Sequence, residues 1–516
     1  MKKLFTPIFI IACLAFVSCS STRKGASSTT DNGKIDLVFV QVNDVYEIAP
    51  LENGLVGGMA RVATLKQDYK AKNPNTFLVM AGDFLSPSVY NSLKYEGKRI
   101  RGKQMVEAMN AAGMDMAIFG NHEFDISETE LQDRINESRF HWIASNSFQK
   151  KENVVASFVK TTPDGSAPLP ESYLMAVTDA DGTTATIGFI GLTLPFNKAS
   201  YVGYADPFAV ADTLYNRIKN SCDAVVAITH QSMEDDIALA KRLPGLAAII
   251  GGHEHDMRYQ KVGNVYITKA HANARSAYVI KLRINHRNQS IKVKTGLKMI
   301  NESVAMDPAT DVVVKKWTDI ANKNYASLGF DATKVVMQKG EPLDGRETEV
   351  RSTTTNFTSM ITASIKQAAP LADVAIINAG AIRVDDILQM PVTQYDILRS
   401  LPFGGSIIEV DMKGRLLLKV LETGLKNRGI GGFLHYSSDL VLNIDTHTWM
   451  LKGLPLDAEK TYHVALLDFL MTGGEANMDY LNPKNPDIVK MYPVITDIND
   501  PRSDVRLAII RYMEKF

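Results

Sequence analysis

Several short apolar runs of this sequence end directly in side chains that bind metal ions or carry protons. The stretch 118-IFGNHEFD-125 places an amide, an imidazole and carboxylates behind one glycine, and 251-GGHEH-255 places two imidazoles behind a glycine pair. Other runs end at Asp44, at Asp83 and at His230. Carboxylate, amide and imidazole groups together form a ligand set suited to a pair of divalent transition ions.

The runs themselves have the length and composition of buried strands. They are rich in Val, Ile, Phe and Ala, and continuous apolar runs of this kind are typical of strands covered on both faces. Helical spacing follows some of them, as in 61–70 and 104–113. Alternating strands and helices predict an α/β layered domain. The runs are 36–42, 77–81, 116–119, 186–192, 224–229 and 246–250.

The loops that follow parallel strands of an open sheet meet at one edge, so we expect the candidate ligands to share a cavity. Each has an ordinary explanation when taken alone, because an Asp after a strand often caps a helix and a lone His is often a hydrogen-bonded core residue. Their joint occurrence at successive strand ends favours a metal centre. The six candidates are Asp44, Asp83, Asn121, His230, His253 and His255.

The order of these motifs resembles that of the calcineurin-like metallophosphoesterases. The motifs are NDVYE (43–47), AGD (81–83), GNHEFD (120–125), TH (229–230) and GGHEH (251–255). The stretch 57-GGMARVATL-65 and the Phe-Asp pair after GNHE narrow the resemblance to the 5′-nucleotidase family. That family implies an N-terminal four-layer α/β/β/α metallophosphoesterase domain and a C-terminal α+β 5′-nucleotidase domain, joined by a helical linker. The corresponding ranges here are 35–302, 331–516 and, for the linker helix, 303–330.

The resemblance also implies two divalent ions, of Mn, Zn, Co, Mg or Fe, bridged by Asp83. His122 would stabilise the phosphoryl oxygens or assist the leaving group, and Asp125 would orient His122 by hydrogen bonding. Two metal ions activate water and clamp the reacting oxygens, so no Ser or Cys nucleophile is required. The remaining ligands would divide between the ions, with Asp44 and His255 on one and Asn121, His230 and His253 on the other.

The second half of the chain resembles the C-terminal domain of the same family. The resemblance implies that Phe403 and Phe469 stack on a nucleobase, whereas plain core packing is the alternative for both. The motifs are 351-RSTTTN-356, 378-NAGAIR-383, 401-LPFGGSIIEVDMKG-414, 431-GGFLHYS-437 and 467-LDFLMTGGE-475. The other substrate-binding residues implied are Arg351, Asn378, Arg383 and Glu475.

Two residues depart from the family pattern. Tyr46 stands where the first motif usually has a histidine. It either binds metal as a phenolate or packs nearby while water or Glu47 takes the ligand position, and we expect a changed metal preference. Glu475 replaces the usual Asp, and its longer side chain would shift the sugar or alter specificity.

The N-terminus is typical of an exported protein. Residues 1–19 contain two lysines, an apolar run too short to span a bilayer, and small residues. The ending 16-FVSC-19 resembles a bacterial lipobox with a lipid on Cys19, and an ordinary signal peptide is the alternative. Polar residues 20–34 would form a flexible tether. We expect a periplasmic or outer-membrane location, with membrane contact through the lipid.

Composition excludes some partners. Lys+Arg and Asp+Glu both count 57, so no electrostatic argument supports a nucleic acid polymer as ligand. Cys222 is the one cysteine outside the signal region, so no internal disulfide is expected, and the oligomeric state stays open.

The motifs and the family they resemble together predict an exported phosphohydrolase that acts on nucleotides. Hydrolysis of nucleotide-diphosphate sugars, 2′,3′-cyclic nucleotides or sulfur esters, or nucleotide binding by a decayed site, are the alternatives.

Overall fold

The computed structural model describes residues 31–152, 154–197 and 199–516 of the chain. The predicted signal segment, the lipobox with Cys19 and most of the predicted tether lie outside the described residues. Within them, no helix is long and apolar enough to cross a membrane.

Two six-stranded sheets pack face to face in the N-terminal half. Their inner faces share one buried cluster, which includes Phe39 and Ile118 from the first sheet and Phe189 and Ile228 from the second. In chain order the strands are β1 (Lys34–Val42), β2 (Thr76–Met80), β3 (Met116–Ile118), β4 (His141–Ile143), β5 (Ser172–Thr178), β6 (Thr184–Thr193), β7 (Ala224–His230), β8 (Ala248–Gly252), β9 (Arg258–Val262), β10 (Val265–Lys269), β11 (Ser276–Asn285) and β12 (Ser290–Met299).

Each sheet is built around four parallel strands. The first has the order β12-β11-β1-β2-β3-β4, in which β1 to β4 are parallel, and the second has the order β5-β6-β7-β8-β10-β9, in which β6, β7, β8 and β10 are parallel. Every apolar run that predicted a strand lies at one of these strands. Strand β4 was not predicted, because its sequence HWI is not part of a continuous apolar run.

Helices cover the outer faces of both sheets, which completes the expected α/β/β/α layers. The helices α1 (Met59–Lys70), α2 (Lys103–Ala111) and α3 (Glu128–Glu137) lie on the first sheet, and α4 (Pro207–Ile218) and α5 (Met233–Arg242) lie on the second. The two helices predicted at 61–70 and 104–113 are α1 and α2. Ser127 and Glu130 form a capping box at the start of α3, which satisfies backbone N–H groups at that end.

The segment expected to link the two halves contains α6 (Pro308–Ser327). Asp307 caps this helix, and Pro308 occupies its first turn, where a missing N–H costs nothing. The helix packs on α1 and α2, and the fully buried Trp317 donates its indole N–H to Glu107 at 2.9 Å. By its packing α6 therefore belongs with the N-terminal half, and the chain enters the second half after it.

The C-terminal half is a five-stranded mixed sheet between helices. Its strands are β13 (Val374–Asn378), β14 (Ile407–Lys413), β15 (Leu434–Tyr436), β16 (Thr461–Leu467) and β17 (Ile488–Met491), in the order β15-β13-β16-β14-β17. Its helices are α7 (Glu347–Val350), α8 (Asn356–Ala368), α9 (Gln394–Ser400), α10 (Gly414–Lys426) and α11 (Val505–Met513). Helices α8, α9 and α11 pack together, and α10 packs with strands of the sheet.

The remaining strands are short and form separate sheets of two or three strands. They are Lys94–Tyr95, Lys98–Arg99, Ser147–Lys151, Val154–Ala156, Val159–Thr162, Gly165–Pro168, Val202–Tyr204, Val335–Met337, Leu343–Asp344, Ile387–Leu388, Val392–Thr393, Leu440–Asn443, Thr448–Leu451 and Leu454–Pro455.

Candidate metal centre and substrate cleft

The predicted metal ligands all stand at the carboxyl ends of parallel strands. Asp44 follows β1, Asp83 follows β2, Asn121 follows β3, His230 ends β7, and the 253–255 turn follows β8. One oxygen each of Asp44 and Asp83 and one nitrogen of His230 lie within 4.8 Å of one another, and all three residues are buried. The two sheets thus bring their loops to a common edge, as the sequence predicts.

Four of the six candidate ligands have a left-handed backbone conformation. The φ angles are 52° at Asp44, 54° at Asp83, 99° at His253 and 61° at His255. Such conformations cost non-glycine residues about 1–3 kcal/mol each and persist where the surrounding structure enforces them, most often at functional sites. The strain therefore marks the same edge of the sheets as the ligand chemistry does.

Glycines make the close approach of these loops possible. A Cβ on Gly82 would stand 2.6 Å from Nδ1 of His230, and a Cβ on Gly120 would collide with the Asp83 carboxylate. Gly82 also has φ +81°, a conformation that favours glycine. The single glycine of GNHEFD is thus required because the β2 and β3 loops touch there.

Three buried ligand atoms have no hydrogen-bond partner among the described residues: Asp44 Oδ1, Asn121 Oδ1 and His230 Nε2. The Ala81 carbonyl holds Nδ1 of His230 at 2.8 Å, which directs Nε2 toward Asp83 Oδ2, 3.1 Å away. Buried polar atoms are almost always paired, so two oxygens and one imidazole nitrogen left unpaired at one place fit a bound cation. The residues present therefore suit divalent metal.

The electrostatics of the pocket agree with that fit. Burial disfavours a charged imidazole, but Asp83 and Asp44 raise the pKa of His230 to about 9. Burial works against a charged Asp83, yet His230 and His122 hold its carboxyl pKa well below the usual range. Burial, followed by the charge on His230, lowers the pKa of His253 to about 4. Negative charge is thus concentrated at the carboxylates, where a cation would replace the proton on His230.

Tyr46 lies against the ligands rather than away from them. Its hydroxyl is 3.1 Å from Asp83 Oδ2 and 3.0 Å from His255 Nε2. Burial, and next the charge of Asp83, raises the pKa of this phenol well above its usual value, which favours a neutral hydroxyl. Glu47 does not take the ligand position, because its carboxylate bonds to the hydroxyl of Tyr395 in the second half.

His122 and Asp125 form the expected pair. Nδ1 of His122 and Oδ2 of Asp125 are 2.7 Å apart, and the backbone N–H of His122 donates to Asp83 Oδ1 at 2.8 Å. Ser86 Oγ and Asn197 Nδ2 donate to the two oxygens of Asp125, at 3.2 and 2.7 Å. These last two contacts come from distant parts of the chain, and no sequence pattern indicated them.

Glu123 is a further residue of the site that sequence analysis did not identify. It is fully buried, and its carboxylate accepts backbone N–H groups from Asp83, Phe84 and Leu85 at 2.9, 2.7 and 3.0 Å, and from Gly120. Burial raises the pKa of Glu123 to about 7. This side chain fixes the β2 and β3 loops to each other, so it shapes the site without facing it.

The second half supplies polar groups at the same place. Nη2 of Arg383 lies 3.5 Å from Nδ1 of His122, across the boundary between the halves. Asn378 Nδ2 donates to Glu475 Oε2 at 2.6 Å, which joins two of the predicted substrate residues. Arg351 pairs with Glu347. Asn378 Oδ1 and Arg351 Nε are buried without a hydrogen-bond partner in the described chain.

A cleft of about 710 Å³ lies between the halves, beside Arg383 and the His122–Asp125 pair. Its lining includes Asp125, Arg383 and Phe403, with Arg99 and Arg101 on the N-terminal side. Phe403 is 65% exposed and Phe469 is 45% exposed, so neither is a core residue. Phe469 lies beside Gly474 and does not line this cleft. The structure therefore brings Phe403 to the cleft and leaves Phe469 outside it.

Comparison with known proteins gives two family matches that together span most of the described chain. The model of the calcineurin-like phosphoesterases matches residues 37–257, and the model of the 5′-nucleotidase C-terminal domain matches residues 334–482. Both sets of motifs described above fall largely within these two ranges.

Individual relatives agree with these matches. Bovine (Bos taurus) 5′-nucleotidase is 23% identical over 470 residues, which cover 81% of this chain and 78% of that protein. The trifunctional nucleotide phosphoesterase YfkN of Bacillus subtilis (strain 168) is 26% identical over 504 residues, 86% of this chain and 32% of YfkN. The crystal structure of a 5′-nucleotidase precursor from Thermus thermophilus superposes with a TM-score of 0.66 at 22% identity, covering 93% and 96% of the two chains.

Proposed function

The chain belongs to the 5′-nucleotidase family of the calcineurin-like metallophosphoesterases, and on that basis we propose that it removes phosphate from nucleotides, mainly 5′-mononucleotides, with two divalent ions. The observation that carries the proposal is the convergence of Asp44, Asp83 and His230, in which Asp44 Oδ1 and His230 Nε2 have no hydrogen-bond partner among the described residues. Two bound ions would supply water of lowered pKa and positive charge for the phosphoryl oxygens.

The residues of the chain have separable tasks in this proposal. With Nδ1 of His122 held by Asp125, Nε2 is the nitrogen left to hold a proton for the leaving oxygen. Arg383, 3.5 Å from His122, supplies positive charge where the phosphate would lie. Positioning and charge neutralisation account for most of phosphoryl-transfer catalysis, so these groups suffice without a protein nucleophile.

The nucleoside would bind across the boundary between the halves. Exposed Phe403 offers a face on which a base can stack, a contact worth about 1–3 kcal/mol and tolerant of base identity. Asn378 and Glu475, joined by a hydrogen bond, offer polar groups for the sugar. Phe469 belongs to the same half as Phe403 and is likewise exposed, so it would offer the base a second ring from that half.

Export and lipid attachment at Cys19 are part of the proposal. They rest on the N-terminal sequence pattern, and an exported nucleotidase would release nucleosides and phosphate outside the cytoplasmic membrane. Fractionation of cells expressing the full chain tests this. Lipidated protein in the membrane fraction supports the anchor, and soluble unlipidated protein contradicts it.

A second candidate function is hydrolysis of nucleotides with a longer phosphate chain. Arg99 and Arg101 line the same cleft as Arg383, and guanidinium groups bind phosphate oxygens well. If they contact substrate, the Arg99→Ala variant loses kcat/KM toward ADP but keeps it toward AMP. Equal loss with both nucleotides, or none, would argue for the monophosphate alone.

The direct test is phosphate release from AMP by protein lacking residues 1–19. The protein is stripped with EDTA and then given Mn²⁺, Co²⁺, Zn²⁺ or Mg²⁺, with Asp83→Asn as the matched variant. We expect release that metal restores and that Asp83→Asn abolishes. Absence of release with every metal would overturn the monophosphatase and direct the search to diesters and nucleotide sugars.

A further inference from the structure

One loop of the second half contacts the N-terminal half three times, and two of these contacts reach the candidate centre. Arg383 lies 3.5 Å from His122, Asp385 forms an ion pair with His255, and Asp386 meets Arg275 at 2.6 Å. The three contacted residues all belong to the N-terminal half. The loop 383–386 is therefore the place where the second half reaches the candidate metal ligands directly.

Asp385 is held in a defined position in this loop. Its φ of 39° lies in the left-handed region, which is costly for a non-glycine residue and needs enforcement by its surroundings. Its Oδ1 accepts the backbone N–H of Glu347 at 2.5 Å, and its Oδ2 faces Nδ1 of His255. Both carboxylate oxygens thus have partners, one in each half.

The contact determines which ring nitrogen of His255 is available. With Nδ1 engaged by Asp385, Nε2 points to Asp44 Oδ1, 3.4 Å away, and to the Tyr46 hydroxyl, 3.0 Å away. A carboxylate on the far nitrogen of a ligating histidine fixes its tautomer and orientation, and losing such a partner typically costs about 10- to 100-fold in metal affinity. Within the described residues, no carboxylate of the N-terminal half contacts Nδ1 of His255.

We propose that Asp385 is a positioning residue that completes the metal centre from the other half of the molecule, by holding His255 so that Nε2 is presented as a ligand. This inference rests on the proposed function, because it takes the convergent side chains to be metal ligands. Tyr46 offers no imidazole beside Asp44, so an ion held there would depend strongly on His255.

The test compares Asp385→Ala and Asp385→Asn with Asp386→Ala in protein that retains both halves. The control removes a neighbouring carboxylate of the same loop, one that bonds to Arg275 and Arg399 and not to His255. Mn²⁺ binding is titrated by electron paramagnetic resonance, and the Co²⁺-loaded proteins are compared by visible absorption. Melting temperatures verify that each variant folds.

We expect wild type to bind two ions and Asp385→Ala to lose about 10- to 100-fold in affinity for one of them, with an altered Co²⁺ spectrum. Asp385→Asn keeps an acceptor for Nδ1 and should recover part of that affinity, and it decides the question if the alanine variant does not fold. Asp386→Ala should bind both ions normally. Unchanged binding in both Asp385 variants, or equal loss in Asp386→Ala, would overturn the proposal. A wild type that binds no metal would instead refute the proposed function itself.

Discussion

At the residue scale, Asp83 is the side chain on which most of the site depends. Its two oxygens are contacted by the His122 backbone N–H at 2.8 Å, the Tyr46 hydroxyl at 3.1 Å and His230 Nε2 at 3.1 Å. Residues of this kind could be predicted from sequence, because a carboxylate after an apolar run has a recognisable local context. Glu123 and Asp385 could not, because their partners are distant in sequence and follow no spacing rule.

The Tyr46→His variant tests whether the tyrosine limits metal binding. A histidine there would add an imidazole beside Asp44 and His255, so we expect tighter binding of one Mn²⁺ or Zn²⁺ ion in a competition titration. Tyr46→Phe is the matched control, since it removes the contacts with Asp83 and His255 without adding a ligand. The idea fails if both variants bind metal as wild type does.

The Glu123→Gln variant tests the loop-fixing role of the buried carboxylate. The amide end cannot accept all the backbone N–H groups that the carboxylate accepts, and each unsatisfied buried donor costs about 1–3 kcal/mol. We expect a free energy of unfolding reduced by several kcal/mol and a loss of bound metal. Glu302→Gln, at an exposed position, is the control. Similar stability of the two variants would contradict the role.

At the element scale, the strands were predictable and the loop contacts were not. Strands that are buried on both faces need continuous apolar residues, so they can be recognised from composition alone. This applies to β1, β2, β3, β6, β7 and β8. The packing of α6 on α1 and α2 depends on surfaces far apart in the chain, and so does the antiparallel position of β11 beside β1. Glycine requirements at the loop crossings likewise become visible only in three dimensions.

Comparing alanine variants of Gly82 and Gly97 separates the effect of crowding in the loop after β2 from the effect of backbone strain. Both have similar positive φ, +81° and +79°, but a Cβ on Gly82 meets His230 and Gly120 whereas a Cβ on Gly97 meets open space. Gly97→Ala should cost about 1–2 kcal/mol from conformation alone. We expect Gly82→Ala to cost clearly more and to reduce metal retention after dialysis. If Gly82→Ala and Gly97→Ala lose the same stability in thermal unfolding, the added Cβ on Gly82 does not collide with its neighbours and the prediction is wrong.

At the scale of the whole molecule, partly buried polar contacts join the two halves. The pair of Glu47 and Tyr395 crosses the boundary, as do Arg275 with Asp386 and His255 with Asp385. Sequence indicated two domains and a helix between them, but the contacts that align one half on the other come from residues with no shared motif.

Glu47 makes this boundary sensitive to pH. Burial raises its pKa from 4.5 to about 7. Below pH 4.5 the group is protonated in folded and unfolded chains alike; between 4.5 and 7 the unfolded chain ionises first, so stability is lost as pH rises and stays lost above 7. The shift corresponds to about 3 kcal/mol.

We therefore expect Glu47→Gln to gain stability relative to wild type between about pH 5 and pH 8. The free energies of unfolding are measured in chelator, so that metal release does not contribute, and Glu302→Gln serves as the control. If the difference in free energy of unfolding between Glu47→Gln and wild type does not change with pH, Glu47 does not have a raised pKa in the folded protein.

The measurement that tests the central claim most directly is anomalous diffraction from crystals of the protein grown with Mn²⁺. The account predicts two anomalous peaks at the carboxyl ends of β1, β2, β3, β7 and β8, both within bonding distance of Asp83, and none at that place in the Asp83→Asn variant. A single peak, or peaks that do not contact Asp83, would contradict a two-metal centre bridged by this residue.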